Sequence, residues 1–413
     1  MENNIVAIWL WNREVGRIYW DDASHRAVFA YNPAFLRDGT DIAPLTASIR
    51  SMAAQKPILG DRDKLYQGLP PFLADSLPDK WGNLVFENWR AMHHLRGKQV
   101  TPVDKLAFIG SRGMGALEFR PAVPLEQQPA ELPLADLYRL SQRIFSERSE
   151  VQIQPEESLT MQSLYAVGTS AGGQHPKALI AIHRTTGEIR SGQMEWGTDY
   201  DYYILKFAER SGFPTTQVEY AYYLMAQDMG IRMMPSRLLE VDGDLHFLTQ
   251  RFDRQEGKRI HIQTLAAMSE TACSYEDLMQ VARRLGISQE EQNQLFLRIA
   301  MNIFGGNVDD HTKNFSFMLS EGGAWHITPA YDITFTTDLD APFYMNRHEL
   351  SLCGKVENIT RNDLLQFARE NSIKSASTML DRVIRVLSDW LTYAHHARVP
   401  EPLATRIAQY IHK

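Results

Sequence analysis

The sequence predicts an α+β protein: a small β-rich N-terminal domain, then a sheet lobe, then a helical C-terminal lobe. Three observations carry that expectation. Short β-branched and aromatic runs fill the first third, strand and helix patterns alternate after a proline-rich break, and helical periodicity dominates from residue 275 onward. A length of 413 residues suits two or three domains, with divisions expected at 1–125, 134–265 and 266–413.

In the first domain, residues 5–10, 15–19 and 27–31 read as strands of a small antiparallel sheet, with polar turns such as Asp21-Asp22 between them. Residues 72–90 mix loop signals, Pro78 and Gly82, with a helix expected over 83–92. From residue 121 to 133, four prolines stand among Glu and Gln with neither helical nor strand period, which marks a linker or domain edge. Helical spacing returns at 134–146. A glycine-rich loop at 168–173 precedes a buried-type strand at 177–183. A second strand at 202–208 leads into a helix at 217–229, and a third strand follows at 246–252. Ser288 with Glu291 is a capping-box signature for a helix running to about residue 304. Strands at 315–319 and 325–328 interrupt the helices. Residues 360–413 return to helix, with an apolar stripe through Val383, Val386, Leu387, Trp390 and Leu391.

Composition narrows the function classes. Apolar residues make up 44% and charged residues 23%, enough to bury a large core and against disorder as the main state. Lys and Arg number 43 against 50 Asp and Glu, for a net charge of -7. That balance argues against wrapping nucleic acid by phosphate neutralisation, though not against a local basic patch. Cys273 and Cys353 have no metal-ligand spacing, so neither a disulfide framework nor a zinc module is expected. The apolar run at 5–11 ends at Asn12 and is too short for a signal peptide or a membrane span. A cytoplasmic, soluble protein is the expectation.

The densest chemical signal is Gly305-Gly306-Asn307-Val308-Asp309-Asp310-His311-Thr312-Lys313-Asn314, followed by Pro329-Ala330-Tyr331-Asp332. Asp309 and Asn314 have the Asp-x-x-x-x-Asn spacing of a kinase catalytic loop. There the Asp takes the proton of the acceptor hydroxyl, and the Asn offers a neutral oxygen to a magnesium ion on the phosphates. Mg²⁺ favours hard oxygen ligands, and Asp332 is placed to supply the next one if the two intervening strands fold back as a hairpin. A plainer reading stands beside this one: glycines and Asn after a helix also make an ordinary C-cap.

The upstream half strengthens the kinase reading. Lys206 lies inside an apolar strand, where lysine is rare without a partner. Glu219 opens the next helix, and a strand Lys paired with a helix Glu is how kinases hold nucleotide phosphates. The alternatives are an edge-strand lysine reaching solvent and a first-turn charge on the helix dipole. The segment from Gly168 to Lys177 precedes a strand, as a phosphate-covering loop does, and lacks the Walker spacing. Loop, strand Lys, helix Glu, third strand, Asp-x-x-x-x-Asn and late Asp form one consistent order.

Together these residues resemble the HipA family of serine/threonine kinases, the toxin halves of bacterial toxin–antitoxin pairs. The likeness runs through Ser170 to Lys177, Ile204 to Phe207, Glu219-Tyr220, Gln250-Arg251-Phe252-Asp253-Arg254, Val308 to Phe317 and Pro329 to Ile333. The Asp309-x-His311-x-Lys313-Asn314 run is its most characteristic part, and Pro71-Phe72 to Leu77-Pro78-Asp79 resembles the close of the family's N-terminal β domain. The fold implied is a two-lobed, kinase-like domain with a helical C-terminal lobe behind that β-rich domain. Also implied are ATP and Mg²⁺ as cofactors, Asp309 as general base, Asn314 and Asp332 as magnesium ligands, and Lys206 as the phosphate lysine. Gly172, Gly173, Gln174, His175, Pro176 and Lys177 would cover the nucleotide. Gln250, Arg251 and Phe252 would offer hinge backbone to adenine, and His311 and Tyr331 would line the pocket. Ser170 falls at the family's autophosphorylated serine, where a phosphate would eject the loop from the site. The resemblance further implies a protein substrate, with aminoacyl-tRNA synthetases as the class. It implies a helix-turn-helix antitoxin as partner, DNA contact only through that partner, and no membrane.

The sequence departs from the family at Gln250, where an acidic residue is familiar, at Asp310, where glycine is, and at Gln174-His175-Pro176 in the loop. Asp310 leaves two readings open, a second metal ligand or a solvent-facing carboxylate. Two other functions share these features. A HipA-like corepressor with a vestigial ATP site would bind Mg-ATP without transferring phosphate, and a small-molecule kinase would be separated only by a substrate screen.

Overall fold

In the computed structural model, which describes residues 5–37, 39–93, 99–123, 131–147, 151–168, 173–210, 212–342 and 345–411, alternating apolar residues build the N-terminal sheet. Strands β1 (Val6–Leu10), β2 (Arg13–Asp21), β3 (Arg26–Tyr31), β4 (Ile58–Leu59) and β5 (Leu117–Arg120) pair antiparallel in the order β4-β3-β2-β1-β5. On β1, Val6, Ile8 and Leu10 are buried while Ala7 and Trp9 are only partly covered, the period-two pattern of a half-buried strand. The expected strands fall on β1 to β3. β4 and β5 are too short to show a period.

Among the described residues, three helices lie between β4 and β5. They are α1 (Pro71–Ala74), α2 (Lys80–Met92) and α3 (Pro102–Ile109), the last opened by a capping box of Thr101 with Asp104. α2 starts at Lys80, earlier than the expected 83, and takes Gly82 into its first turn. A helical glycine costs about 1 kcal/mol. Burying Val85 and Phe86 at about 1.5–3 kcal/mol each outweighs that, and Trp81 joins them in the core of the following lobe.

That lobe contains α4 (Leu134–Glu147), α5 (Ser158–Gly168), β6 (Lys177–His183), β7 (Ile189–Ser191), β8 (Tyr200–Lys206), α6 (Thr215–Met229), β9 (Ser236–Val241) and β10 (Asp244–Gln250). Its sheet is antiparallel in the order β7-β6-β8-β10-β9. α2, α4 and α5 share one core with β6 and β8, whereas Val218, Ala221, Tyr222 and Met225 of α6 belong to the core of the helical lobe. α6 is therefore the seam between the two.

The helical lobe begins after the small hairpin β11 (Arg254–Gln255) and β12 (Lys258–Arg259). It comprises β13 (His261–Thr264), α7 (Leu265–Met268), α8 (Tyr275–Arg284), α9 (Gln289–Gly305), β14 (Ser316–Leu319), β15 (Trp325–Ile327), α10 (Arg361–Glu370), α11 (Ala376–Ser388), α12 (Trp390–His396) and α13 (Glu401–Ile411). β14 and β15 do fold back as an antiparallel hairpin, with β13 on the other side of β14. Ser288 caps α9, but Glu291 bonds back to the Ser288 hydroxyl at 2.9 Å and also accepts the Ile327 N–H, tying the helix to β15.

The N-terminal domain is bonded to both lobes. The Gly115 N–H donates to Asp253 Oδ2 at 2.8 Å, and the Trp11 indole donates to the Arg259 carbonyl at 2.9 Å. On the other side, Tyr66 Oη donates to the Ala266 carbonyl at 2.8 Å, and Gln263 Nε2 donates to the Ile42 carbonyl at 2.7 Å. Among the described residues, no helix is long and apolar enough to cross a membrane, and both cysteines are free.

Candidate active site

The register of two strands sets the electrostatics. Lys177 on β6 stands directly opposite Lys206 on β8. Like charges facing across an antiparallel pair destabilise a sheet unless counter-charges are supplied. Two carboxylates supply them. Lys206 Nζ donates to Glu219 Oε1 at 2.6 Å and forms a second ion pair with Asp332. Burial alone would lower the Lys206 ammonium, but Asp332 and Glu219 outweigh it and hold it above its ordinary range. Burial would raise Asp332, yet Lys206 and then Lys177 bring its carboxyl down to about 2. At Glu219 burial wins over Lys206 and the carboxyl is raised. Burial, then Lys206, lowers the Lys177 ammonium.

Asp332 reaches Lys206 from a left-handed backbone conformation, φ +52°, which few residues other than Gly, Asn and Asp adopt. Its carbonyl accepts from Asn307 Nδ2 at 3.3 Å. Strain of this kind persists where surrounding bonds over-determine it.

The loop after α9 is built on a C-cap that also does other work. Gly306 is left-handed, and a Cβ there would meet Phe335 and Tyr410 at under 3 Å, so the position excludes side chains. Asn307 and Thr336 then shape the turn. The Thr336 hydroxyl accepts the N–H groups of Val308 at 2.7 Å and Asp309 at 3.0 Å and donates to Asn307 Oδ1 at 3.1 Å. Asn314 Nδ2 closes the loop by donating to the Asp309 carbonyl at 2.7 Å. The Asp309 side chain stays half exposed, facing His311 Nε2 at 3.9 Å. Burial raises its carboxyl, His311 opposing and Asp332 adding to the rise, which makes it a better proton acceptor than a free aspartate.

Asp310 does not face solvent, the plainer of its two expected roles. It is fully buried, and its carboxylate accepts from Tyr275, from the Glu349 N–H at 2.8 Å and pairs with His348 Nδ1 at 2.7 Å. It anchors the loop.

The described part of the loop expected to cover phosphate, Gly173 to Lys177, lies against the start of α2. Gly173 has φ +107°, a conformation that favours glycine, and a Cβ there would stand 2.5 Å from Lys177 Nζ, which would have to shift. His175 is exposed and pairs with Glu209 at 2.5 Å. Ser170 and Gly172 lie outside the described residues.

At the expected hinge, two backbone donors are already engaged. The Gln250 N–H donates to the Pro235 carbonyl at 3.0 Å and the Arg251 N–H to the Tyr202 carbonyl at 2.8 Å. The Arg251 guanidinium is buried too, bonded to both oxygens of Asp253 at 2.8 and 2.7 Å and to the Gly192 carbonyl at 3.0 Å. Arg251 and Asp253 thus form a structural joint beside the cleft. Phe252 packs its ring 5.8 Å from that of Tyr331, whose hydroxyl donates to the Lys313 carbonyl at 2.7 Å.

The residues present fit a magnesium ion bound together with phosphate. Among the described residues, no group of three or more His, Cys, Asp or Glu could hold a metal unaided. Asn314 and the ionised Asp332 line the same small pocket. One carboxylate, one amide oxygen and the oxygens of a phosphate ligand are the donor set Mg²⁺ takes.

The structure therefore joins Lys206, Glu219 and Asp332 by direct bonds, brings Lys177 opposite Lys206, and sets Asp309 and Asn314 on one braced loop. Sequence reasoning missed Asn307, Thr336 and also Asp79, whose carboxylate accepts from the Gly173 N–H at 2.9 Å and from Lys313 Nζ at 2.6 Å. Asn307 had a signal in its place within the motif. Thr336 and Asp79 had none, because their bonds join residues far apart in the chain.

Comparison with known proteins agrees with the fold. The model of the HipA-like C-terminal domain matches residues 169–392, more than half of the chain, and that of the HipA N-terminal domain matches 6–120. A protein of Sinorhizobium fredii (strain NBRC 101917 / NGR234) named "Putative kinase Y4mE" is 24% identical over 364 residues, 81% of this chain and 78% of that protein. The HipA toxin of Shewanella oneidensis MR-1, solved with HipB and operator DNA, superposes with a TM-score of 0.63. It covers 98% of this chain and 95% of its own, at 16% identity.

Proposed function

The chain belongs to the HipA family, and from that premise we propose that it is an ATP- and Mg²⁺-dependent serine/threonine protein kinase. The observation that carries this reading is the convergence at one cleft of Lys206, bridged to Glu219 and Asp332, with Asp309 and Asn314 on the neighbouring loop. Lys206 and Lys177 offer positive charge to phosphate oxygens. Asp309 takes the proton of a serine or threonine hydroxyl as its oxygen bonds the γ-phosphorus and the bond to ADP breaks, a role worth about 10²–10⁴ in rate. Asn314 and Asp332 would hold Mg²⁺, which neutralises charge on the transferring phosphate. The acceptor is a protein, with an aminoacyl-tRNA synthetase as the class the family suggests. Autophosphorylation at Ser170 would switch the enzyme off, and a helix-turn-helix antitoxin would restrain its growth-inhibiting activity and carry any DNA contact. The Shewanella neighbour, solved with HipB and operator DNA, supports such a partner.

Transfer from γ-labelled ATP to a protein acceptor tests the chemistry. Asp309→Asn should abolish it, and equal incorporation by variant and wild type would sink the assignment.

A further inference from the structure

Three consecutive residues at the start of α2 grip the phosphate-covering loop. The Gly173 N–H donates to Asp79 Oδ2 at 2.9 Å, and the Trp81 N–H donates to the Gly173 carbonyl at 3.3 Å. Lys80 Nζ donates to Gln174 Oε1 at 2.9 Å, and the Trp81 indole donates to the Lys177 carbonyl at 3.0 Å. Trp81 is fully buried, so this grip is anchored in the core and is not a surface contact. The other oxygen of Asp79 accepts from Lys313 Nζ at 2.6 Å, and Lys313 lies on the loop that carries Asp309 and Asn314. One carboxylate thus holds two loops that come from different lobes.

We propose that Asp79 is a positioning residue for phosphoryl transfer: it sets the phosphate-covering loop and the Asp309 loop at a fixed spacing before nucleotide binds. The proposal rests on the kinase reading of the cleft. A carboxylate so close to a phosphate site would repel the ligand if it stood alone. Paired with Lys313 it adds little net charge, and its two oxygens act as a clamp. Lys313 correspondingly serves the clamp, while Lys206 and Lys177 face the phosphates. Both partners are about a quarter exposed, so the ion pair itself is modest, and the geometry it imposes matters more than its strength. Pre-ordered loops bind nucleotide without the entropy cost of ordering them, and this is where the effect of Asp79 should appear.

The test uses the full chain and two readouts. Hydrogen exchange in ligand-free protein reports the latch directly. Asp79→Ala should speed exchange of the Gly173 amide about tenfold or more, the loss expected for one charge-assisted bond. Initial rates over an ATP series report its use. Asp79→Ala should raise KM for ATP about tenfold and lower kcat by less, with Asp79→Asn, which keeps one acceptor oxygen, lying between. Wild-type exchange at Gly173 with wild-type KM would overturn the proposal. So would equal losses in Asp79→Ala and Asp79→Asn that track a fall in global unfolding temperature, because that is a merely structural role. If wild-type protein transfers no phosphate at all, the kinase reading falls while the exchange measurement still decides whether the latch exists.

Discussion

Replacing Lys206 with methionine removes the cation shared by two carboxylates. Glu219, 8% exposed at its side chain and 2.6 Å from the ammonium, is left buried without its main counter-charge, while Asp332 still faces Lys177. Breaking a buried pair by deleting one partner costs about 3–5 kcal/mol. Adding Glu219→Gln removes the orphaned charge, so the double variant should recover most of that loss. Phosphotransfer should stay abolished in both, because the lysine proposed to hold the phosphates is gone. The single variant also has a pH signature. The Glu219 carboxyl, already raised by burial, rises further without Lys206. A raised carboxyl contributes stability below its unfolded value of about 4.3 that is lost as pH rises through its folded value. The deficit of Lys206→Met should therefore shrink from mildly alkaline to mildly acidic pH, and urea unfolding across that range measures it. A deficit that ignores pH and is not repaired by Glu219→Gln would refute the argument that the pair is an electrostatic unit.

Asp75 is raised to about 6 by burial and accepts from the Thr264 N–H at 2.7 Å and hydroxyl at 2.8 Å. Relative to Asp75→Asn, wild type should lose about 3 kcal/mol as pH rises from about 4 to 7, read from thermal unfolding of both proteins. Asp310→Asn weakens the bonds to Tyr275, His348 and the Glu349 N–H and should cost about 1–3 kcal/mol. Its magnesium requirement for phosphotransfer should not change, and a shifted requirement would return Asp310 to the metal site. Thr336→Val keeps shape but removes the acceptor of the Val308 and Asp309 N–H groups. Turnover should fall by up to about a hundredfold as Asp309 loses its aim, with nucleotide affinity measured by titration unchanged.

What could be read from the chain alone followed local period and motif order. The strand expected at 177–183 coincides with β6, and those expected at 202–208 and 246–252 begin two residues late against β8 and β10. Lys206, Glu219 and Asp332 were legible because an ionisable group in an apolar strand demands partners, and the motif order named them. Gly82 misled because tertiary burial of its neighbours overrode its propensity. The buried pair of Arg251 with Asp253 was not legible, because a backbone hinge and a buried ion pair leave the same residues in the sequence. Asp79, Thr336 and the burial of Asp310 depend on which loops meet in space, and no spacing rule reports that.

The N-terminal domain, bonded through Gly115 to Asp253 and through Tyr66 to Ala266, works on the two lobes as a strut works on a hinge. A wide swing of one lobe against the other would have to break one of these joints. On the proposed function, nucleotide exchange should therefore be governed by short loops at the rim of the cleft and not by opening of the whole jaw.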